Sequence, residues 1–161
     1  MSEAIELRSP RPLDVAQMVE VCAEAPHIAQ HSTYVFWLFA TVYRTRSLVA
    51  ISAENQVVGY LLSMPTTEAR TELILQVAVR MNNQARGVGI ALLKQHATVA
   101  RLQGVTALLT SIEVGCKPGE SLMRRAIAGG FKYRAVPWPE DADPRPTLGV
   151  PEILYRADLL D

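Results

Sequence analysis

The spacing of hydrophobic and polar residues along the chain predicts strands and helices in alternation. Residues 5–8 alternate between apolar and polar side chains, which is typical of a short strand. Val15, Val19 and Cys22 then recur at helical spacing and indicate a first helix. Residues 32–42 have a helical apolar spacing but are rich in aromatic side chains, so a second helix is predicted and a strand is the alternative.

The remainder of the chain adds six strands and two helices. Residues 48–53 and 57–64 predict an antiparallel hairpin around Glu54-Asn55, and the continuous apolar run at 73–79 predicts a strand buried on both faces. The Pro-rich segment 138–148 predicts a loop. The order β-α-α-β-β-β-α-β-α-β-β predicts a mixed α/β layer fold. The other elements are predicted as helices over 87–102 and 120–128 and strands over 105–114, 131–136 and 152–157.

Composition limits the classes of partner. A length of 161 residues suits one domain, spanning 1–161, and the formal net charge of zero provides no broad field to attract nucleic acid or a membrane surface. Cys22 and Cys116 have no metal-ligand spacing, so free thiols and no bound metal are predicted. The first eight residues carry two glutamates and lack the apolar run of a signal peptide, which favours the cytoplasm. A small-molecule ligand fits this composition better than a polymer.

The segment over residues 73–93 carries the clearest chemistry. A buried strand enters a polar loop, Gly87 and Gly89 follow, and an amphipathic helix begins. The N-terminus of a helix offers unpaired N–H groups and a partial positive charge, which together suit a pyrophosphate. The glycines remove side chains that would keep a phosphate away from the backbone. Neither the dinucleotide fingerprint, with its third glycine, nor the Gly-Lys-Ser/Thr of a P-loop is present.

The pattern Gln84-x-x-Gly87-x-Gly89, between a strand and a helix, resembles the acetyl-CoA loop of the GCN5-related N-acetyltransferases, the GNAT family. The order of elements and the Gly130-Phe131 pair resemble that family over nearly the whole chain. The resemblance implies a mostly antiparallel central sheet whose fourth and fifth strands splay apart. It also implies acetyl-CoA as co-substrate, no metal, and direct attack of an amine on the thioester.

The resemblance assigns main-chain roles around the splayed strands. Val77 and Val79 would bind the pantetheine arm, and the N–H of Val77 or of Ala78 would stabilise the oxyanion. The diphosphate would lie against a loop comprising Gln84, Ala85, Arg86, Gly87, Val88 and Gly89.

The catalytic side chains of the family are only partly present. Many members have a glutamate as base on the fourth strand, where this chain has Gln76, and a tyrosine as acid, where this chain has Ala126. We therefore consider Gln76, Glu113 and Tyr34 as candidate catalytic residues. Glu113, near the end of the fifth strand, either accepts an amine proton or is a solvated charge. Tyr34 either contacts the substrate or packs in the core.

Several other polar residues have a functional and a structural interpretation. His27 and His31 could titrate near neutral pH but are expected to be exposed loop residues. His96 is expected on the surface of the third predicted helix, and Tyr133 is expected to pack. The arginines that could bind a carboxylate or a phosphate of coenzyme A are Arg124, Arg125 and Arg134.

A narrower resemblance is to the L-2,4-diaminobutyrate acetyltransferases, one branch of the family. It rests on Ser32-Thr33-Tyr34, on Gln76-Val77-Ala78-Val79 and on Glu152-x-Leu154-Tyr155-Arg156. The chain departs from the branch at Ala29 and Leu75, among other positions near the substrate. These departures predict a changed pocket for a small amine, with diaminobutyrate as one candidate.

The predicted function is transfer of an acetyl group from acetyl-CoA to the amine of a small molecule. Two alternatives remain open at this point: a non-catalytic module that binds coenzyme A as a sensor, and an acetyltransferase acting on protein N-termini or lysines. By analogy with the family, the protein could form a homodimer.

Overall fold

The centre of the fold is a seven-stranded mixed sheet with strand order β1-β2-β3-β4-β5-β7-β6. The computed structural model describes residues 4–25, 27–140, 142 and 149–159. No helix in these ranges is both long enough and apolar enough to cross a membrane. The strands are β1 Glu6–Arg8, β2 Leu48–Ile51, β3 Val57–Pro65, β4 Thr71–Val79, β5 Ala107–Glu113, β6 Tyr133–Val136 and β7 Glu152–Asp158. The helices are α1 Val15–Glu24, α2 Thr33–Thr41, α3 Val88–Leu102 and α4 Lys117–Ala128, with short 3-10 helices at Pro12–Asp14 and Met81–Arg86.

The order of the predicted elements is confirmed, and the boundaries differ by a few residues. Residues 33–41 form a helix and not the alternative strand, because their apolar face packs Phe36, Phe39 and Ala40 into the core. Helix α4 begins three residues before the predicted start, with a proline in its first turn, where the missing N–H costs nothing. The predicted loop over 138–148 falls mostly outside the described residues.

Two hydrophobic clusters cover the two faces of the sheet. Helices α3 and α4 pack on one face, where Leu92, Leu108 and Met123 are buried. Helices α1 and α2 pack on the other, where Met18, Phe36 and Tyr60 are buried. The sheet is therefore covered on both faces, as the α/β order requires.

Strand β4 contains a bulge that changes which face its side chains meet. The pairing with β3 shifts register between Leu62, opposite Gln76, and Ser63, opposite Ile74, so Leu75 is the extra residue. Ile74 belongs to the cluster under α3, whereas Ala78, beyond the bulge, belongs to the cluster under α1 and α2. The prediction that β4 is buried on both faces was wrong at the bulge, since Leu75 is 36% exposed.

A buried polar cluster joins β3, β4 and α3. Glu72 is 1% exposed, accepts a hydrogen bond from Ser63 and forms an ion pair with Arg46. His96 Nε2 lies 3.1 Å from Glu72 Oε2. Burial by itself raises the pKa of Glu72, but the hydrogen bonds from His96 and Ser63 outweigh it and lower the pKa from 4.5. The expectation that His96 lies on the surface was wrong: it is 1% exposed because it provides this contact.

Candidate active site

The sheet opens between β4 and β5. The two strands pair in parallel only from Thr71 opposite Ala107 to Ile74 opposite Thr110, although β4 continues to Val79 and β5 to Glu113. The Thr110 hydroxyl donates to the Ile74 carbonyl at 3.2 Å, at the last paired position. Beyond it, β4 keeps only its pairing with β3. The predicted splayed strands are therefore present, and one edge of β4 is unpaired in the middle of the sheet.

The unpaired edge presents the main chain of alternate residues. In an antiparallel pair, every second residue directs its N–H and C=O toward the partner strand. The Arg80 N–H donates to the Val58 carbonyl at 2.8 Å, so Ala78 likewise faces β3, while Val77 and Val79 face the opening. The Gln84 side chain, at 3.1 Å from the Val79 carbonyl, meets one of these outward groups.

The connection from β4 to α3 leaves backbone donors without intrahelical partners. Gly87 has φ +77°, a left-handed conformation that side chains with a Cβ rarely adopt, and it ends the 3-10 helix before α3 begins. The first α3 bond runs from the Ala91 N–H to the Gly87 carbonyl, so the N–H groups of Val88, Gly89 and Ile90 have no intrahelical partner. Gly89 also permits close packing, since a Cβ there would lie 3.1 Å from Leu122.

A cavity of about 420 Å³ adjoins this opening. Its walls are the segment 27–31 before α2, residues 74–77 of β4, residues 110–113 of β5, one face of α4, and single residues of α3, β6 and β7. The volume suits a small molecule. A second cavity of about 400 Å³, beside Lys94 and Lys132, contains none of the predicted site residues.

Two carboxylates face each other at the rim of this cavity. Glu113 ends β5 and Glu152 begins β7, and the two residues are direct cross-strand partners. Glu152 is half-buried, with Oε1 3.4 Å from the Ser111 hydroxyl, whereas Glu113 is exposed. Sequence reasoning selected Glu113 and missed Glu152, although the C-terminal resemblance to diaminobutyrate acetyltransferases included it.

Gln76 connects the cavity wall to the sheet. Its Oε1 accepts a hydrogen bond from the Tyr60 hydroxyl, and its Nε2 donates to the Ala29 carbonyl at 2.8 Å. Both ends of the carboxamide are therefore used within the protein. The same wall carries His31, whose pKa burial lowers from 6.5, so its imidazole is neutral at pH 7.

Comparison with known proteins identifies the fold. No family model matches the chain. An L-2,4-diaminobutyric acid acetyltransferase of Nocardia farcinica is 28% identical over 152 residues, covering 93% of this chain and 78% of the relative. One of the same name from Halomonas elongata is 30% identical over 122 residues, covering 74% of this chain and 62% of the relative.

Solved structures agree with these relatives. The diaminobutyrate acetyltransferase EctA of Paenibacillus lautus, in complex with L-2,4-diaminobutyric acid and coenzyme A, superposes with a TM-score of 0.81 at 16% identity, covering 99% of this chain and 98% of that one. An acetyltransferase of the GNAT family from Staphylococcus aureus gives 0.74 at 11% identity, covering 98% and 100%. The chain has the fold of the GNAT acetyltransferases. The resemblance inferred from the sequence is confirmed.

Within the GNAT fold, Ala126 and Tyr133 lie in the cavity wall together. Ala126 stands where many members have a tyrosine, and Tyr133 enters from β6. Tyr133 is 6% exposed, and its hydroxyl has no hydrogen-bond partner among the described residues. Burial raises the pKa of this hydroxyl. Tyr133 packs, as expected from the sequence, but with an unsatisfied polar group.

Tyr34 lies outside the cavity wall of this GNAT fold. Its side chain is 64% exposed and stacks on Trp37 with ring centroids 6.0 Å apart. The substrate contact that we predicted for Tyr34 stays a prediction. The arginines considered for anion binding also lie elsewhere, since Arg124 and Arg125 are exposed on α4 and Arg134 pairs with Asp158.

Proposed function

We propose that this protein transfers the acetyl group of acetyl-CoA to the amine of a small molecule bound in the cavity beside the β4–β5 opening. The observation that carries the proposal is the continuity of three features: an unpaired β4 edge, a helix start whose first N–H groups have no intrahelical partner, and a cavity rimmed by two carboxylates. The relatives named diaminobutyric acid acetyltransferases support the same reaction class.

The donor would be bound mainly by backbone. The amides of Ala85, Arg86, Gly87, Val88 and Gly89 would hold the diphosphate at the positive end of α3, with Gln84 beside them. The pantetheine arm would pair with Val77 and Val79 as an added strand, since both face the opening. Ala78 would only space Val77 and Val79 along the strand, because its own main chain faces β3.

The chemistry needs few side chains. The amine nitrogen attacks the thioester carbon, the carbonyl oxygen gains negative charge, and the C–S bond then breaks to release the thiolate of coenzyme A. The Val77 N–H, which points into the opening, suits the oxyanion better than that of Ala78. Glu113 and Glu152 are the groups that can accept the amine proton, directly or through water. Gln76 would position the wall and the amine without taking a proton.

Binding of acetyl-CoA tests the first half of the proposal. We expect NMR titration with acetyl-CoA to move the amide signals of residues 84–89. Gly87→Ala should weaken acetyl-CoA binding about tenfold, because alanine disfavours the left-handed turn that orients these amides, at about 1 kcal/mol. Gly104→Ala is the matched control: Gly104 has φ +79° and, like Gly87, open space around its Cβ position.

Release of the coenzyme A thiol in the presence of a panel of small amines tests the second half. Turnover on at least one amine supports the acetyltransferase. If acetyl-CoA binds saturably but no amine is acetylated, the sensor alternative is favoured and the acetyltransferase proposal is rejected. If only peptides are acetylated, the small-molecule substrate is rejected. Unchanged signals for residues 84–89 at millimolar acetyl-CoA reject the proposal altogether.

A further inference from the structure

The two carboxylates at the cavity rim have no counter-charge among the residues that the structure describes. Glu113 and Glu152 lie directly opposite each other across β5 and β7, an arrangement in which like charges repel. Neither forms an ion pair with another described residue. The Ser111 hydroxyl, which is neutral, donates to Glu152 Oε1 at 3.4 Å. An ammonium group bound between the two carboxylates would remove this repulsion.

The charged side chains of the described cavity wall do not favour a substrate carboxylate. Among the described residues that line it, none is lysine or arginine. Arg156 lies on β7, the same strand as Glu152, but it is already paired with Glu68 and Asp158. His31 is neutral at pH 7, because burial lowers its pKa. A carboxylate entering the cavity would therefore meet two negative charges and, among the described lining residues, no lysine or arginine, with His27 as the other imidazole of the wall.

A second observation is an unpaired hydroxyl in the cavity wall. Tyr133 is 6% exposed, lines the cavity and has a hydroxyl without a hydrogen-bond partner among the described residues. Buried polar groups are nearly always paired, so this hydroxyl favours a polar ligand or a water in the cavity. The rest of the wall includes Ile28, Leu75 and Ile112, which suit a short methylene chain.

We propose that the acceptor is a small diamine without a carboxylate: one amino group is acetylated and the other is held as an ammonium ion by Glu113 and Glu152. This inference rests on the proposed function and specifies its substrate class. With both carboxylates on the distal ammonium ion, the reacting amine loses its proton to bulk water before attack, so solvent replaces Glu113 and Glu152 as the proton acceptor in this arrangement. The distal amine keeps its proton throughout. An amino acid such as diaminobutyrate carries the charge that this cavity repels.

A matched pair of substrates provides the test. 1,3-Diaminopropane and L-2,4-diaminobutyrate have the same spacing between their amines and differ by one carboxylate. We expect kcat/KM for the diamine to be at least about tenfold higher than for the diamino acid, because the charged side chains of the described cavity wall do not favour the carboxylate. The diamine should also exceed n-propylamine, which lacks the second ammonium, by about tenfold.

Variants of the carboxylates test the same inference within the protein. Glu113→Gln and Glu152→Gln should each lower the preference for 1,3-diaminopropane over n-propylamine toward one. Glu120→Gln is the control, because Glu120 is outside the cavity wall and its Oε1 accepts the Gly115 N–H, a bond that glutamine can keep. This variant should leave the preference unchanged.

The outcomes separate the two proposals. Equal or better use of L-2,4-diaminobutyrate, with turnover established, overturns the diamine inference and leaves the acetyltransferase intact. Preferences that survive both Glu113→Gln and Glu152→Gln also overturn it. Absence of thiol release with every amine overturns the proposed function, and the diamine inference with it.

Discussion

At the scale of single residues, two buried tyrosines differ in what their hydroxyl groups meet. Tyr60 is fully buried and donates to Gln76 Oε1, whereas Tyr133 is 6% exposed and its hydroxyl has no partner among the described residues. Burial raises the pKa of both phenols, so both carry their protons at any physiological pH. The Tyr60 hydroxyl is therefore buried with a hydrogen-bond partner, and the Tyr133 hydroxyl is buried without one among the described residues.

The same substitution should consequently have opposite effects at these two tyrosines. Tyr133→Phe removes an unpaired polar group and should leave the free energy of unfolding unchanged or raise it by about 1 kcal/mol. Tyr60→Phe leaves Gln76 Oε1 with only the weak Cys22 thiol donor at 3.9 Å and should lower the free energy of unfolding by about 1–3 kcal/mol. Urea unfolding of the ligand-free protein measures both. A loss of several kcal/mol for Tyr133→Phe would contradict the assignment of its hydroxyl as unpaired.

At the scale of elements, the bulge in β4 determines the form of the cavity. By adding Leu75, it turns Gln76 toward α1 and α2, where the carboxamide reaches the Ala29 carbonyl. The wall formed by residues 27–31 is thereby held against β4. Gln84, from the 3-10 helix, makes a comparable contact with the Val79 carbonyl on the donor side. Two glutamines thus support the two proposed substrate sites separately.

Replacing each glutamine with methionine should separate the two Michaelis constants. Methionine keeps the approximate length of the side chain but cannot replace the amide hydrogen bonds. Gln76→Met should raise KM for the amine several-fold more than KM for acetyl-CoA, and Gln84→Met should do the reverse. Steady-state kinetics with each substrate varied in turn measures the effect. Equal changes in both constants for both variants would refute separate support.

At the scale of the whole molecule, the buried cluster around Glu72 joins the sheet to α3. The Glu72 carboxylate is 1% exposed, is hydrogen-bonded to Ser63 and His96, and forms an ion pair with Arg46. Its pKa is lowered from 4.5 in the folded protein. A lowered pKa means that the unfolded chain takes up the proton more readily, so the cluster stabilises the fold above pH 4.5 and this contribution is lost as pH falls through the folded pKa.

Glu72→Gln should show this dependence on pH. Removing one partner of a buried pair should lower the free energy of unfolding by about 3 kcal/mol at pH 7. The difference from the unsubstituted protein should shrink as the pH is lowered below 4.5, because the glutamate itself becomes neutral. Denaturation curves between pH 7 and pH 3 measure it, with exposed Glu54→Gln as control. A difference that does not change with pH would contradict the assigned role of the carboxylate.

The sequence predicted the order of the elements because each one is encoded locally by its apolar spacing. It did not predict the bulge at Leu75, since an apolar run has the same appearance with or without an extra residue and the bulge is defined by the pairing with β3. His96 was misjudged for the same reason: its partner Glu72 lies 24 positions away, on another element. The apolar spacing of a helix does not show that one of its polar residues pairs with a buried carboxylate on another element.

The residues of the candidate site likewise differ in how far the sequence predicts them. The loop from Gln84 to Gly89 is contiguous and could be recognised as a motif. The pairing of Glu113 with Glu152 could not, because it depends on β7 lying beside β5. The placement of Tyr34 outside the cavity wall likewise follows from the orientation of α2 and not from its composition.

The short pairing between β4 and β5 makes the sheet two half-sheets joined along a seam of four residue pairs. One half, β1 to β4, carries the backbone groups proposed for the donor, and the other half, β5 to β7, carries both rim glutamates. The distance between the proposed donor and acceptor sites therefore depends on the angle at which the halves meet. Any change that alters this angle, even at an outer strand, alters the alignment of the two reactants without touching either one.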